Sequence, residues 1–282
     1  MVIIEKRLPA THNIVVSGDF HIGSLLTSGE SIDEMVEYIR KTPKTYFAGV
    51  GDYIEAIAVD DYRFDMRTTK EYDPFHQAND VVDKLRPIKK KILALGTGNH
   101  EWKLVRFGDI VREFICDKLQ VPYGTYEYVL VIKDEDGNFM YKIFVSHGFR
   151  SISSGAGLRR QRRGNEEVQI EKRLREKMGD CLIMCMGHTH RLIVAKPISI
   201  LHMVERGGKI KSQYTDVHDN GSFIHPEHRW YVNTGSFLKL YHEGVSGYAS
   251  MAGYDPVDLG VPVIQCVDGK IHNIEKKILN RG

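Results

Sequence analysis

The chain has 282 residues, enough for one large domain with a substantial core. Hydrophobic residues make up 42% and charged residues 27%, a globular balance that excludes a disordered or fibrous chain. The formal net charge is +2, so no global basic field marks a nucleic-acid binder, and any such role must come from a local patch.

The first twenty residues, MVIIEKRLPATHNIVVSGDF, lack a basic stretch followed by an apolar one, and no apolar run is long enough for a bilayer. The expectation is a cytoplasmic protein with no signal peptide and no membrane partner. The four cysteines, Cys116, Cys181, Cys185 and Cys266, form no CxxC pair and read as reduced core residues. Cys181 and Cys185 would share a face in a strand, which leaves a thiol pair conceivable.

Apolar runs that stop at glycine or polar residues recur along the chain. Strands are predicted at 13–17, 45–50, 92–95, 141–145 and 181–186, with helices near 31–41, 76–91, 109–119 and 166–178 between them. Ser31 and Glu34 suit a helix start. Strands alternating with helices predict an α/β architecture. Beyond Gly187 the pattern turns β-rich, with strands at 192–195, 198–204, 210–214, 230–233 and 263–267 and turns at Gly207-Gly208 and Asn220-Gly221. That half is expected to build a second sheet.

Each strand of the first half runs into Asp, Asn or His. The polar groups arrive as Gly18-Asp19-Phe20-His21, Gly51-Asp52-Tyr53-Ile54-Glu55, Gly98-Asn99-His100-Glu101, Ser146-His147-Gly148 and Gly187-His188-Thr189-His190. In α/β sheets the loops beyond the carboxyl ends of strands are where ligands bind. Asp and His suit Mn, Fe, Zn, Co or Ni, and a carboxylate can bridge two ions. Taken singly, these residues have plainer readings. Asp19 and His21 would make a polar turn, Asn99 a helix cap, His147 a buried histidine, and Glu55 a charge at a helix start. The other histidines, among them His202, His218, His225, His228 and His242, read as surface or core, although His225 and His228 are close enough in sequence for a stray metal site.

The ordered set DxH, GDxxE, GNHE, SHG and GHTH resembles the signature of the calcineurin-like metallophosphoesterases and covers residues 19–190; VNTGS at 232–236 is similar to a turn that follows the last motif in that family. The resemblance implies a single domain over 1–282 with the family's four-layer αββα fold, a two-sheet β-sandwich flanked by helices. It implies two divalent ions, Mn first among Fe, Zn, Ni, Co and Mg. One would be held by Asp19, His21, Asp52 and His190, and the second by the bridging Asp52 with Asn99, His147 and His188. His100 would face the substrate as general acid, and Glu55 and Glu101 would support the ligands.

Within the family, the second motif lacks the arginine of protein phosphatases, and His21 and Glu55 differ from the purple acid phosphatases. The resemblance therefore points to a phosphodiesterase in which a hydroxide between the ions attacks a nucleotide or nucleic-acid diester. A phosphomonoesterase is the alternative enzyme. A non-catalytic scaffold or DNA-binding protein is the alternative of another class, disfavoured because no ligand position is missing. The implied partner is a phosphoester substrate, with nucleotides and DNA among the candidates; no pattern reports on oligomeric state.

One charged segment stands apart. From Leu158 to Lys177 there are eight Arg/Lys against four Asp/Glu. Its second half reads as a helix with Glu early and Lys/Arg late, in keeping with the helix dipole, and with Ile170, Leu174 and Met178 as a buried stripe. Its first half, within 151–164, reads as a basic loop. Residues 149–180 are accordingly expected to form a loop-helix insertion in which Arg159, Arg160, Arg162 and Arg163 face an anionic substrate.

Overall fold

The computed structural model describes residues 1–57, 59, 61, 64–152, 155–215, 222–245, 253 and 255–279. Its architecture is mixed α/β, with two large mixed sheets and a few helices.

One sheet has the order β1-β5-β6-β7-β11-β8 (β1 Val2–Arg7, β5 Glu127–Lys133, β6 Phe139–Ser146, β7 Ile183–Met186, β11 Trp230–Thr234, β8 Leu192–Ala195). The other has the order β13-β12-β2-β3-β4 (β13 Lys270–Ile278, β12 Gly260–Val267, β2 His12–Ser17, β3 Thr45–Gly49, β4 Ile92–Leu95). β9 (Leu201–Arg206) and β10 (Lys209–Tyr214) pair as a separate two-stranded ribbon. Apart from that ribbon, the β-rich second half does not build a sheet of its own. Its other strands extend both sheets, because β11 runs parallel to β7 while β12 runs antiparallel to β2.

Alternation along the strands explains the uninterrupted apolar runs. In β2, Ile14 and Val16 join one cluster and Val15 another; in β7, Ile183 and Cys185 face one way and Met184 and Met186 the other. A strand buried on both faces needs apolar residues at every position. One cluster draws on both sheets, with Val16, Ala48 and Ile264 meeting Tyr128, Val145 and Val232. A second packs the five-stranded sheet on α1 (Gly29–Lys41), α2 (Pro74–Leu85) and the 110–119 segment. The third packs the six-stranded sheet on α5 (Arg159–Leu174) through Ile170 and Leu174. The arrangement is compatible with an α/β sandwich.

Helix ends follow local chemistry. Ser28, not Ser31, caps α1, its hydroxyl accepting from the Ser31 amide, and Asp73 caps α2 ahead of Pro74. The expected 109–119 helix is a π-helical stretch, Val111–Cys116, that tightens into α4 (Asp117–Leu119). Cys181 and Cys185 lie in different clusters, and all four cysteines are free and buried. The expected turn at Asn220-Gly221 lies outside the described residues. No helix among the described residues is long and apolar enough to cross a membrane.

Candidate metal centre

β2, β3 and β4 run parallel in one sheet, and β6, β7 and β11 run parallel in the other. Each strand therefore releases its loop at the same end as its neighbours. Asp19 and His21 follow β2, Asp52 follows β3, Asn99 opens α3 (Asn99–Trp102) after β4, His147 follows β6, and His188 and His190 follow β7. The loops touch. A Cβ on Gly51 would stand 2.2 Å from the Gly98 nitrogen, and one on Gly98 would stand 2.1 Å from Asp52 Oδ1, so only glycine allows this approach.

The side chains converge into three overlapping groups: Asp19, His21 and His190; His21, Asp52 and His100; and Asp52, His147 and His188. His21 Nε2 stands 3.0 Å from His190 Nε2, which is 3.3 Å from Asp19 Oδ1. On the other side, Asn99 Oδ1 stands 2.9 Å from His147 Nε2 and 2.7 Å from His188 Nδ1, and Asp52 Oδ2 is 3.2 Å from His147 Nε2. Ligand atoms bound at about 2.1 Å to a common ion lie roughly 3 Å apart at the edges of its polyhedron. Two imidazole nitrogens facing at that distance share either a proton, as an N–H···N hydrogen bond, or a cation bound between them. Asp19 and Asp52 are buried and, among the described residues, their ion pairs are all with histidines. Buried carboxylates need a compensating positive charge. Donor types, spacing and charge thus fit bound divalent cations.

Backbone strain marks the same residues. Asp19, His21, Asp52, His188 and His190 hold φ between +50° and +69°, a region that costs a non-glycine residue about 1 kcal/mol or more. Hydrogen bonds hold the strained turns. The Asp19 carbonyl accepts from the Phe237 amide (3.0 Å) and the Ser236 hydroxyl (3.1 Å), and Asn233 Nδ2 donates to the Gly187 carbonyl (3.0 Å). The VNTGS segment therefore braces two ligand loops from below. The Thr27 hydroxyl donates to the His21 carbonyl. Nothing in the type of Thr27 marked it in advance.

A further set fixes the rings. His21 Nδ1 donates to the Glu55 carboxylate at 2.7 Å, and His147 Nδ1 donates to the Val50 carbonyl at 3.1 Å, which leaves each Nε2 available as a ligand atom. Glu55 begins no helix; it orients His21. Glu101 does not touch the histidines. Its carboxylate accepts from the amides of Asp52 (2.9 Å), Tyr53 (2.5 Å), Ile54 (3.2 Å) and Gly98 (2.9 Å), tying the β3 and β4 loops together. His100 is buried; its Nδ1 donates to the Glu55 carbonyl, its amide donates to Asp52 Oδ1 at 2.9 Å, and its Nε2 lies 4.0 Å from Asp52 Oδ2.

Electrostatics follow from burial and crowding. Burial pushes the Asp52 carboxyl up, but the charges of His147 and His100 outweigh it and hold the group well below the usual carboxylate range. Asp19 is lowered likewise, burial being opposed by its hydrogen bond to His190 and by the charges on His190 and His147. Burial would lower His147, but Asp52 raises it to about 9. Burial and the neighbouring His147 charge push His188 down to about 4. Burial and the Asp52 charge raise Glu101 to about 7.

No family model matches the chain, and no curated protein matches it.

The basic segment differs from its expected form. Arg159, Arg160, Arg162 and Arg163 are not in a loop; they are the first turns of α5, and Glu166 and Glu167 stand mid-helix. The cations therefore sit at the unfavourable end of the helix dipole. Arg and Gln are good helix formers, and Ile170 and Leu174 anchor the helix on the sheet, which outweighs the cost of Gly164. The helix ends at Leu174, so Met178 packs only partly, beyond it. Arg162 is held by Asp255 (2.6 Å) and the Ala156 carbonyl (2.8 Å); Arg159, Arg160 and Arg163 are exposed. Ser153 and Ser154, in the segment before them, lie outside the described residues. The helix reaches the ligand loops through Glu166, which pairs at 2.7 Å with Arg191, next to His190. Away from the centre, His228 bonds the Thr215 hydroxyl and His225 accepts from the Glu227 amide, and the metal groups among the described residues do not include them. His202 bonds the Ile200 carbonyl and Gln213, His242 bonds the Glu243 carbonyl, and His218 lies outside the described residues.

Proposed function

We propose that the chain is a dinuclear metal-dependent phosphoesterase of the calcineurin-like type, acting on nucleotide or nucleic-acid phosphodiesters. The observation that carries the reading is the meeting of seven ligand-type residues from five strand ends around two buried carboxylates whose ion pairs, among the described residues, are all with histidines. On this reading the two sheets and their outer helices form the four-layer αββα arrangement. Asp19, His21, Asp52 and His190 hold one ion, and Asp52, Asn99, His147 and His188 hold the other.

The chemistry that such ions supply when bound is charge neutralisation at a phosphoryl group and acidification of a water molecule. The chain does the rest. Asp52, set between the two groups, fixes their separation. Glu55 and the Val50 carbonyl keep His21 and His147 in the tautomers that present Nε2. His100, with Nδ1–H committed to the Glu55 carbonyl, holds its transferable proton at Nε2 and delivers it to the leaving alkoxide. Asn99, His188 and His190 are the half-buried members of the ligand set and mark the side from which substrate enters.

The test is activity on bis-p-nitrophenyl phosphate before and after chelation, with Mn added back. Loss on chelation and recovery with Mn supports the reading. Full activity in chelator sinks it. Faster turnover of p-nitrophenyl phosphate than of the diester would move the reading to a phosphomonoesterase.

A further inference from the structure

The chain has two tryptophans. Trp230 is 7% exposed and packs in the core; Trp102 is 55% exposed. A tryptophan left in water forfeits the burial that usually justifies it, so its position matters. Trp102 closes α3, three residues after the ligand-type Asn99, and residues i and i+3 share a helix face. Asn99, like His188 and His190, is half-buried, whereas Asp19, His21, Asp52 and His147 are buried.

An aromatic row links the centre to this tryptophan. The Tyr126 ring lies 5.6 Å from the His147 ring, at 74°, and 6.2 Å from Trp102, at 77°. Tyr126 is fixed by donating its hydroxyl to the Gly148 carbonyl at 2.7 Å. Phe149, next in the chain, is 48% exposed, with the Arg150 guanidinium 5.8 Å from its ring. Exposed Arg106 follows Trp102 closely in sequence. Aromatic faces alternating with cations beside a phosphate-binding centre are the composition of a surface that stacks bases and tracks a phosphate backbone.

We propose that Trp102, supported by Tyr126, is a nucleobase subsite, stacking the base next to the phosphodiester held at the metal centre. The ligand is a nucleobase-bearing phosphodiester, supplied as a free nucleotide or as a single strand. This rests on the phosphodiesterase reading for its setting, but stacking requires no turnover and is tested without it.

The experiment measures binding of phosphorothioate tetrathymidylate, and of an abasic tetramer of equal charge, to the Mn-loaded protein and, in parallel, to the protein in chelator, by tryptophan fluorescence and by anisotropy of an end-labelled oligomer. Wild type is expected to bind the thymidylate about 5- to 150-fold more tightly than the abasic strand, the range one stacked base supplies. Trp102→Ala should abolish that ratio, and Trp102→Phe should retain most of it. Binding of thymidine 5′-monophosphate as tight as that of the tetramer would assign the subsite to free nucleotides, and tighter tetramer binding to strands. Equal wild-type affinity for the thymidylate and abasic strands, absence of binding, or an unchanged ratio in Trp102→Ala would overturn the proposal. Hydrolysis of bis-p-nitrophenyl phosphate by the same metal-loaded variants reports separately on the phosphodiesterase reading.

Discussion

At the scale of single residues, the proposed function requires that some groups of the centre hold ions and that another moves a proton. His100 lies among the ligands yet commits one nitrogen to a backbone carbonyl. His100→Asn is expected to keep the metal content and to lower kcat by roughly 10²- to 10⁴-fold on a diester with a poor leaving group, the usual worth of a positioned acid. The loss should shrink for p-nitrophenolate, which leaves without a proton. Loss of an ion in the variant would make His100 a ligand instead. A second histidine, remote from the centre, gives a pH test of the scaffold. His12 is buried between Tyr141, whose hydroxyl lies 2.5 Å from Nε2, and the Pro9 carbonyl, 2.6 Å from Nδ1. Burial lowers its pKa, against the opposing pull of the Pro9 carbonyl. The unfolded chain therefore takes up a proton near pH 6.5 while the folded chain does not, so this group removes stability as pH falls below that value and adds no penalty above it. The fall in Tm between pH 8 and pH 5 should be smaller in His12→Gln than in wild type, and equal falls would contradict the assignment.

At the scale of elements, the loops at the strand ends are held to one another more than to solvent. Glu101 alone gathers four backbone amides from two loops. Glu101→Gln halves the acceptor capacity and turns an amide NH2 toward the buried amides. Each unpaired buried donor costs about 1–3 kcal/mol, so with two donors unpaired a loss of roughly 2–6 kcal/mol is expected in urea unfolding of the metal-free protein. Unchanged stability would mean that other contacts fix the loops. Elements were legible in the sequence where burial is two-sided. β2, β3, β4 and β7 show as unbroken apolar runs stopped by residues that turn, and their ends carry the site. β1 and β13 were not legible, because Glu and Lys on their exposed faces break the run. β5 was not predicted although its run YVLVI is apolar throughout. The start of α5 misled for the opposite reason. Gly155, Gly157 and Gly164 suggest a loop, while helix-forming Arg and Gln and the anchor at Ile170 decide otherwise. Glu101 was singled out, but its role was not legible, since four amides converging on one carboxylate depend on loops distant in sequence.

At the scale of the whole molecule, a near-neutral chain must place its positive charge locally to attract an anionic polymer. Arg159, Arg160 and Arg163 are exposed on the first turns of α5, whose Glu166 reaches Arg191 beside the ligand loops. Replacing the three with Gln keeps helix propensity and removes charges that oppose the dipole. Tm should hold or rise slightly. If the three face substrate, the slope of log Kd against log salt for single-stranded DNA should fall by about 2, close to 0.7 per charge removed. An unchanged slope returns them to a solvated helix face. The central claim is that two divalent ions share Asp52 between the sheets, and the most direct measurement is calorimetric titration of chelator-stripped protein with Mn. Wild type should bind two ions per chain, and Asp52→Asn one or none, with turnover lost. A chain that binds no ion, or an Asp52→Asn variant that keeps both ions and the wild-type rate, would contradict the account.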